Sequence, residues 1–384
     1  MDAGAGGSRR LLAVSHTGLV SGAEVVLLRT MEMARTGGWA VTCLAPPGEL
    51  TERARAAGFP VSRIPDLKLP ALPRALGAVV VAGRSVGAAM RLRSTARRTD
   101  VVLLNGVFGL PALRLARPRA PAAWLVHDVI HRRSWRLLLR AVGSAADLAV
   151  AVSHAVAAPL RAQGLATTVI RNGTPWPVAP AGPPPSGAPV IGCAALLTPW
   201  KGQQVLLDAV GLLHDRDITV ELLGGRFPKD ADYLRSLEER SQRSDLRGRV
   251  HFLGHLADPL ARMRTWTIGV LPSVDPEAGP LALLEYMSVG LPVVATDHGG
   301  SPEVIGDAGI LVPPGDAPAL AEAITALLDD PPRRSACAAA GRAAVADHLT
   351  LDHQQVAVLQ MLDGLSRQPP RGRGRHRRPP SATP

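Results

Sequence analysis

The sequence predicts an α/β protein with two Rossmann-like, doubly wound domains that face each other across a cleft. Its 384 residues exceed what a single hydrophobic core usually serves. Buried-strand patterns alternate with helical patterns, which is typical of parallel sheets covered by helices on both faces. This rhythm restarts after residues 177–189, a segment rich in Pro, Gly and Ala that indicates a linker.

In the first half, each predicted strand is a short apolar run. The first, at 11–15, leads into a glycine-containing loop and an amphipathic helix over about 23–34, which Gly37 and Gly38 end. A helix after Ser153 closes near Gly164. The other strands of this half are predicted at 40–44, 100–105, 122–126 and 147–152.

The second half repeats the pattern. Its first strand is predicted at 189–196 and its first helix at 203–214, and a later helix begins at Pro280 and stops at Gly290. Because ligands of open α/β sheets bind at the carboxyl ends of the strands, we expect the site in the loops at that edge. The other strands are predicted at 218–223, 250–253, 268–271 and 293–296.

These patterns set the predicted domain limits. The first domain covers 1–176 and the second 190–350, with the linker between them. A helix over 351–366 is expected to pack back on the first domain. The tail, 367–384, contains Arg, Pro and Gly without a hydrophobic pattern and is predicted to be disordered.

The net charge of +11 is unevenly distributed. Residues 1–185 hold 23 basic and 9 acidic side chains, whereas residues 186–366 hold 14 and 23. A basic first half favours an anionic partner, and the arginine-rich segment 71–98 leaves open a contact with anionic lipid. A solvated helix and compositional drift are the plainer alternatives. Aromatic residues make up only 3%, which argues against a nucleic-acid partner.

The three cysteines are odd in number and far apart, so we expect a reduced, cytoplasmic chain. No stretch has the length of a membrane span, and the N-terminus lacks the apolar core of a signal peptide. Two Asp-x-Asp pairs, at 215–217 and 230–232, lie in polar connections, and we predict no metal site.

Glu277 and Glu285 carry the most informative spacing. Glu277 immediately precedes the predicted helix, and Glu285 lies about two turns into it. The amino end of a helix offers free N–H groups and positive potential, which suit a diphosphate, while carboxylates suit hydroxyl-rich groups. The spacing alone fits equally an N-capping Glu277 and a solvent-facing Glu285.

The stretch 271–305 resembles the donor site of glycosyltransferase family 4. Two glutamates separated by seven residues are followed by Gly-x-Pro-Val-Val-Ala-Thr at 290–296, then Gly-Gly and Pro-Glu. The resemblance implies the GT-B fold, a nucleotide-diphosphate sugar as donor, retention of anomeric configuration, and no metal or prosthetic group. It also implies that Glu277 is catalytic and contacts the sugar, and that Glu285 holds the ribose. Further donor contacts are expected at Gly224, Gly279 and Leu281.

Lys201 resembles the family lysine that holds the donor diphosphate. The family usually places an arginine a few residues earlier, and Ala195 occupies that position here. Pro280 stands where the family usually has glycine. Because charge-assisted contacts to phosphate are among the stronger hydrogen bonds, Ala195 favours the alternative of a non-catalytic sugar-nucleotide-binding or polysaccharide-assembly protein.

Two motifs of the first half resemble the acceptor side of the family. Ser21 and Gly22 open the first helix in a variant of Gly-Gly-Ala-Glu, and His127 ends a strand as part of a His-Asp pair. The resemblance implies that Ser21 and Gly22 approach acceptor and phosphate and that His127 is catalytic. A structural histidine is the alternative.

The expected activity is therefore transfer of a sugar to a carbohydrate, lipid-linked or natural-product acceptor. The place of action is the cytoplasm, with the inner face of the membrane left open. A nucleotide-sugar epimerase on the same fold remains a second enzymatic alternative.

Overall fold

The computed structural model describes residues 8–68, 74–130, 133–181 and 187–369. Packing divides the chain into two compact units. Among the described residues, the first unit comprises those up to Arg171 together with those from Gln354 onward, and the second comprises those from Asn172 to His353.

The first unit contains a seven-stranded parallel sheet with the order β3-β2-β1-β4-β5-β6-β7. Its strands are β1 (Arg10–Ser15), β2 (Ala40–Ala45), β3 (Val61–Arg63), β4 (Val101–Asn105), β5 (Ala122–Val126), β6 (Leu148–Ala151) and β7 (Thr167–Val169). The central strands β4 and β5 are buried throughout, as expected for a parallel sheet covered on both faces. Its helices are α1 (Gly22–Thr36), α2 (Glu49–Ala56), α3 (Arg74–Thr95), α4 (Leu110–Ala116), α5 (Arg133–Val142) and α6 (His154–Arg161).

The second unit contains a six-stranded parallel sheet with the order β10-β9-β8-β11-β12-β13. Its strands are β8 (Val190–Ala194), β9 (Thr219–Leu223), β10 (Val250–Gly254), β11 (Ile268–Leu271), β12 (Val293–Thr296) and β13 (Gly309–Val312). Its helices are α7 (Gln203–Leu212), α8 (Ala231–Ser241), α9 (Pro259–Met263), α10 (Leu281–Ser288), α11 (Ser301–Ile305), α12 (Ala317–Asp329) and α13 (Pro331–His348). Separate apolar clusters pack against the two faces of this sheet.

The predicted fold class is confirmed: both halves are doubly wound parallel sheets. The strands predicted at 122–126, 268–271 and 293–296 have the same limits in the structure. The strands β3, β7 and β13 were not predicted, because each is only three or four residues long and none is fully buried. Strands of this kind lack the continuous apolar run that marks a central strand.

The units differ slightly from the predicted domain limits. Residues 172–176 belong to the second unit and not to the first. A last helix, α14 (Leu351–Ser366), belongs to the first unit from Gln354 onward. Its residue Asp363 forms an ion pair with Arg9, and its Gln355 donates a hydrogen bond to Thr36.

The predicted linker is partly anchored. Ala181 N donates to the carbonyl of Val289 at 2.6 Å, so this part of the linker packs on the second unit. Residues 182–186, and residues 370–384 of the predicted tail, lie outside the described residues. No helix within the described ranges is both long and apolar enough to cross a membrane.

Candidate active site

Glu277 lies in the loop between β11 and α10, at the carboxyl edge of the six-stranded sheet. Only 6% of its surface is exposed. Its Oε1 accepts a hydrogen bond from Lys201 Nζ at 2.5 Å and another from Ser273 Oγ at 2.5 Å. No described residue donates to Oε2. The structure thus joins two predicted site residues in a buried ion pair and leaves one carboxylate oxygen available.

Lys201 is held in place by the loop that precedes α7. It is the last residue of a short 3-10 turn, and the next residue, Gly202, has a φ of +70°. The backbone of Gly202 lies close to the end of β11, because a Cβ at this position would be only 2.0 Å from Pro272 O. Val274 N donates to Trp200 O at 2.8 Å, which ties the same two loops together. The Lys201 ammonium also lies 4.0 Å from the centre of the Trp200 ring. These contacts fix the direction of Lys201 toward Glu277.

The Gly-Gly motif, Gly299 and Gly300, contacts the backbone of the loop that contains Glu277. Gly300 N donates to Glu277 O at 2.7 Å. Gly299 has φ of +61°, and a Cβ there would lie 2.1 Å from the same carbonyl oxygen. On the other side of the loop, Asn172 Nδ2 donates to Gly279 O at 2.8 Å. Gly299 is therefore required, because its backbone contacts the backbone of the Glu277 loop.

Helix α10 begins one residue later than predicted. Pro280 is its N-cap, with extended backbone, and Leu281 is the first helical residue. Because proline supplies no N–H, the amino end of α10 offers backbone donors only from Leu281 onward.

Glu285 lies half-buried on α10, next to Tyr286. The pKa of the fully buried Tyr286 hydroxyl is raised well above its ordinary value, chiefly by burial and further by electrostatic interactions with Cys193, then Glu285 and Glu277. Both glutamates therefore lie near enough to the Tyr286 hydroxyl to influence its ionisation. The Tyr286 hydroxyl also accepts a hydrogen bond from Ala194 N at 2.6 Å, which fixes α10 to the end of β8.

Gly224 follows β9 at the same edge. Its φ is +149°, and a Cβ on it would lie 2.0 Å from Ala195 O. Ala195 N in turn donates to Leu223 O at 2.9 Å. Gly224 thus lies against the position where the family usually has arginine.

A second polar cluster lies at the carboxyl edge of the seven-stranded sheet. Ser21 caps α1, and its backbone N–H and its hydroxyl both donate to Glu24 Oε2, at 3.1 and 2.6 Å. The buried Glu24 also accepts a hydrogen bond from Asn105 Nδ2 at 3.2 Å, through Oε1. Gly22, the first residue of α1, is exposed, and a Cβ there would meet nothing within 4 Å. Ser21 and Gly22 thus frame an accessible helix start.

His127 follows β5 and belongs to this second cluster. Although the residue is only partly buried, its Nε2 is enclosed and has no hydrogen-bond partner among the described residues. Burial, with a smaller contribution from the charge of His16, lowers the pKa of His127 to about 4. His127 is therefore neutral at physiological pH and suits hydrogen bonding to an uncharged hydroxyl group.

The sequence motifs did not identify several residues of the two clusters. Ser273 and Trp200 lie in the motif loops but carried no recognised role. His16 and Asn105 each follow or end a central strand, and that position at the carboxyl edge was the signal that could have found them. Within the described ranges, no group of three or more His, Cys, Asp or Glu is placed to hold a metal ion.

Comparison with models of protein families identifies the family of this chain. The family model described as "Glycosyltransferase Family 4" matches residues 20–175, and the one described as "Glycosyl transferases group 1" matches residues 188–330. The chain belongs to glycosyltransferase family 4. The family resemblance predicted from the motifs is confirmed, and both clusters lie within the matched ranges or directly beside them.

Several relatives are similar to part of this chain. The phosphatidyl-myo-inositol mannosyltransferase of Mycobacterium leprae is 36% identical over 170 residues, which are 43% of this chain and 44% of the relative. The 2-deoxystreptamine glucosyltransferase of Streptomyces kanamyceticus is 34% identical over 178 residues, which are 45% and 44%. These matches span less than half the length of either relative.

Solved structures of the same fold extend over nearly the whole chain. The Anabaena protein Alr3699/HepE, in complex with UDP-glucose, superposes with a TM-score of 0.78 at 23% identity and covers 92% of this chain and 99% of its own. Sucrose-phosphate synthase from Thermosynechococcus elongatus gives a TM-score of 0.78 at 20% identity and covers 93% and 99%. At these identities the likeness establishes the fold, which is the GT-B class.

Proposed function

We propose that this chain transfers a sugar from a nucleotide-diphosphate sugar to a hydroxyl group of a lipid-linked acceptor. The observation that carries the proposal is the cluster of Lys201, Ser273 and Glu277 beside the amino end of α10. One cation, one oriented carboxylate and a helix start with unpaired N–H groups match the charges and hydroxyls of such a donor.

The donor diphosphate is assigned to Lys201 and to the backbone at Leu281. As the bond between the anomeric carbon and the phosphate oxygen breaks, negative charge develops on the leaving nucleoside diphosphate, and these groups stabilise it. The proposal therefore assigns this task to protein groups rather than to a divalent ion. Retention of anomeric configuration is included in the proposal on the strength of the family resemblance.

The donor sugar and ribose are assigned to the two glutamates. Lys201 and Ser273 both bind Oε1 of Glu277, so Oε2 is oriented to accept from a sugar hydroxyl. Glu285 is assigned to the ribose. Gly279, in the loop that contains Glu277, and Gly224, in the loop after β9, are also assigned to the donor, because neither has a side chain that would obstruct it.

The acceptor is assigned to the first unit, beside Gly22, Ser21 and His127. The neutral imidazole of His127 suits an uncharged hydroxyl. Among acceptor classes, a polyol carried on a phospholipid has the most support, because several similar family members are named as phosphatidylinositol mannosyltransferases. A carbohydrate or natural-product acceptor would be the reading favoured by the glucosyltransferase relative.

Helix α3 supports a peripheral contact with an anionic membrane. It has an exposed apolar stripe at helical spacing, opposite its buried face of Ala88, Ala89 and Leu92. The helix contains no acidic residue, and exposed arginines border the stripe. The stripe consists of Leu76, Val79, Val86 and Met90, which are 50–68% exposed. Apolar side chains among arginines are typical of helices that lie in a bilayer interface.

A vesicle assay tests this contact. Replacing Met90 with Glu is expected to reduce co-sedimentation with phosphatidylserine vesicles, while Val356→Glu, at an exposed valine of α14, leaves it unchanged. Equal binding by both variants would contradict the assignment of α3. The proposed place of action is the cytoplasmic side of the membrane.

A donor screen tests the transferase proposal itself. Thermal shift and transfer of radiolabelled sugar are measured with GDP-mannose, UDP-glucose, ADP-glucose and TDP-glucose, using phosphatidylinositol vesicles as acceptor. One donor is expected to raise the melting temperature and to label the lipid. Lys201→Met is expected to remove the shift, because the cation facing the diphosphate is lost, whereas Lys229→Met, at an exposed lysine of the same unit, retains it.

The other outcomes separate the alternatives. A shift without any product would favour a non-catalytic binding protein, the reading that Ala195 supports. Release of an epimerised sugar in the absence of acceptor would favour an epimerase. No shift with any donor would contradict donor binding altogether.

A further inference from the structure

The side chains assigned to the donor in the second unit carry more negative than positive charge. Glu277 and Glu285 are the carboxylates, and Lys201 is the cation. The Lys201 ammonium is already paired with Glu277, at 2.5 Å between Nζ and Oε1. A nucleoside-diphosphate donor brings further negative charge to the same sheet edge. Because like charges at short range raise the free energy of the complex, binding of the donor calls for a second cation that is not already paired.

The loop between β9 and α8, residues 224–230, begins in contact with the loop between β8 and α7. A Cβ on Gly224 would lie only 2.0 Å from Ala195 O. One residue later, the carbonyl oxygen of Gly225 accepts a hydrogen bond from Leu197 N at 2.8 Å. The start of the β9–α8 loop is therefore fixed against the neighbouring loop by backbone contacts.

The same two loops are also joined where α8 begins. The Tyr233 hydroxyl donates to Gln203 Oε1 and accepts from Gln204 N, both at 3.2 Å. These glutamines are the first residues of α7, and Lys201 precedes them in the same loop. The β9–α8 loop is thus held at both ends beside the segment that carries the donor-side lysine.

Arg226 is the first residue with a side chain after the two glycines of this loop. It is exposed, and it forms no ion pair or hydrogen bond with any described residue. It follows β9 at the carboxyl edge of the sheet, where the loops that bind ligands gather. A guanidinium group has a planar fork of N–H donors that matches two phosphate oxygens at once, and it remains protonated at any physiological pH.

Other basic side chains at this edge are less suited to a phosphate. Arg262, of α9, is committed to the buried Glu221, to which its Nε donates at 2.7 Å. The Lys229 ammonium lies 5.8 Å from the centre of the Phe227 ring, and an acid, Asp230, follows it directly. The guanidinium beside the two glycines therefore remains as the cation without a partner among the described residues.

We propose that Arg226 binds the diphosphate of the donor together with Lys201. This inference rests on the proposed transferase function and adds to it a second cation from a different loop. Its guanidinium donates hydrogen bonds to phosphate oxygens and takes up no proton. It stabilises the negative charge that the nucleoside diphosphate carries as it leaves.

Binding of inorganic pyrophosphate tests this contact in the absence of a sugar. Isothermal titration calorimetry compares wild type with two substitutions. Arg226→Ala is expected to weaken binding about tenfold or more, because charge-assisted hydrogen bonds are lost. Arg226→Lys is expected to weaken it less, because the charge is kept and the fork is lost. The matched control is Arg243→Ala, at an exposed arginine between α8 and β10 on the opposite edge of the sheet, and it should bind as wild type does.

Salt dependence separates a phosphate contact from a structural role. Because the guanidinium is exposed, its attraction to pyrophosphate is screened by salt, so the difference between wild type and Arg226→Ala should shrink as sodium chloride is raised. The melting temperature without ligand should be the same in both proteins, because the side chain packs against no described residue.

The nucleotide-sugar identified by the donor screen gives a further measurement. Its dissociation constant is expected to rise in Arg226→Ala by about the same factor as that of pyrophosphate. The corresponding nucleoside, which has no phosphate, should bind equally to wild type and variant. A loss for the nucleoside as large as that for the nucleotide-sugar would contradict a contact with the diphosphate.

The outcomes distinguish this inference from the function on which it rests. Arg226→Ala that binds pyrophosphate as tightly as Arg243→Ala, in a protein that still transfers sugar, would overturn the role of Arg226 and leave the transferase intact. Loss of binding in Lys229→Met with full binding in Arg226→Ala would assign the second cation to Lys229 instead. Pyrophosphate binding that depends on Arg226, in a protein that transfers no sugar from any donor, would support the diphosphate site and refute the transferase.

Discussion

The two polar clusters occupy equivalent places in their units, yet one is built on a charged ion pair and the other contains a neutral histidine. In the second unit, Lys201 and Glu277 form a buried ion pair at the carboxyl edge of the sheet. In the first unit, the same edge holds His16 and His127, and burial keeps His127 neutral. A charged pair suits a partner that carries negative charge, such as a diphosphate, whereas the neutral imidazole of His127 suits a hydroxyl group. The difference supports the proposed assignment of the donor to the second unit and of the acceptor to the first.

Both clusters depend on close backbone approach, but in different ways. In the second unit, Gly202 and Gly299 let one loop contact another, so the glycines position the loops that bear charged side chains. In the first unit, Gly106 lets backbone contact the ring of His16 directly. The first arrangement fixes a loop and the second fixes a side chain.

Of the substitutions that test this difference between the clusters, Glu277→Gln is expected to have the largest effect on the rate of sugar transfer. The change leaves Lys201 without its anionic partner and removes the carboxylate assigned to the sugar, so transfer should fall by about 10²–10³-fold. Steady-state transfer with the donor found in the screen measures it. Glu322→Gln, at an exposed glutamate of α12, is the matched control. Similar rates for both variants would remove Glu277 from the site.

A smaller, pH-dependent effect is expected at His127. Its pKa of about 4 lies below the ordinary value of 6.5, so the unfolded chain takes up a proton that the folded chain does not. The folded state therefore has its full stability with respect to His127 above pH 6.5. As the pH falls toward 4, the free energy of unfolding decreases by up to about 3 kcal/mol.

Urea denaturation at several pH values, in wild type and in His127→Asn, checks this expectation. The variant should lose less stability than wild type between pH 6.5 and pH 4. Parallel curves for the two proteins would show that His127 does not titrate as a buried neutral histidine, and the contrast between the clusters would disappear.

The smallest effect is expected from Ser273→Ala. The substitution removes one of the two hydrogen bonds to Glu277 Oε1 and keeps the ion pair, so a loss of about 1 kcal/mol, or roughly fivefold to tenfold in kcat/KM, is expected. Donor affinity should change little because Lys201 is retained. A loss as large as that of Glu277→Gln would mean that Ser273 itself contacts the donor.

The sequence supplied much of the fold and part of the site. The continuous apolar runs of the central strands predicted two parallel sheets, because strands buried on both faces leave that pattern. The motif residues Lys201 and Glu277 were predicted from resemblance, and the structure places them in contact. Their roles remain proposals. The short strands β3, β7 and β13 escaped prediction because three or four mixed residues do not form a recognisable pattern.

What the sequence by itself determined is local: which segments are buried strands, where helices start, and which loops carry glycine and charge. The tertiary structure alone decided that Asn105 would orient His16 across 89 residues of chain, and that Ser273 would share one carboxylate oxygen with Lys201. Such pairings depend on strand order and on the approach of backbones at the sheet edge. Those are long-range properties that no local pattern encodes.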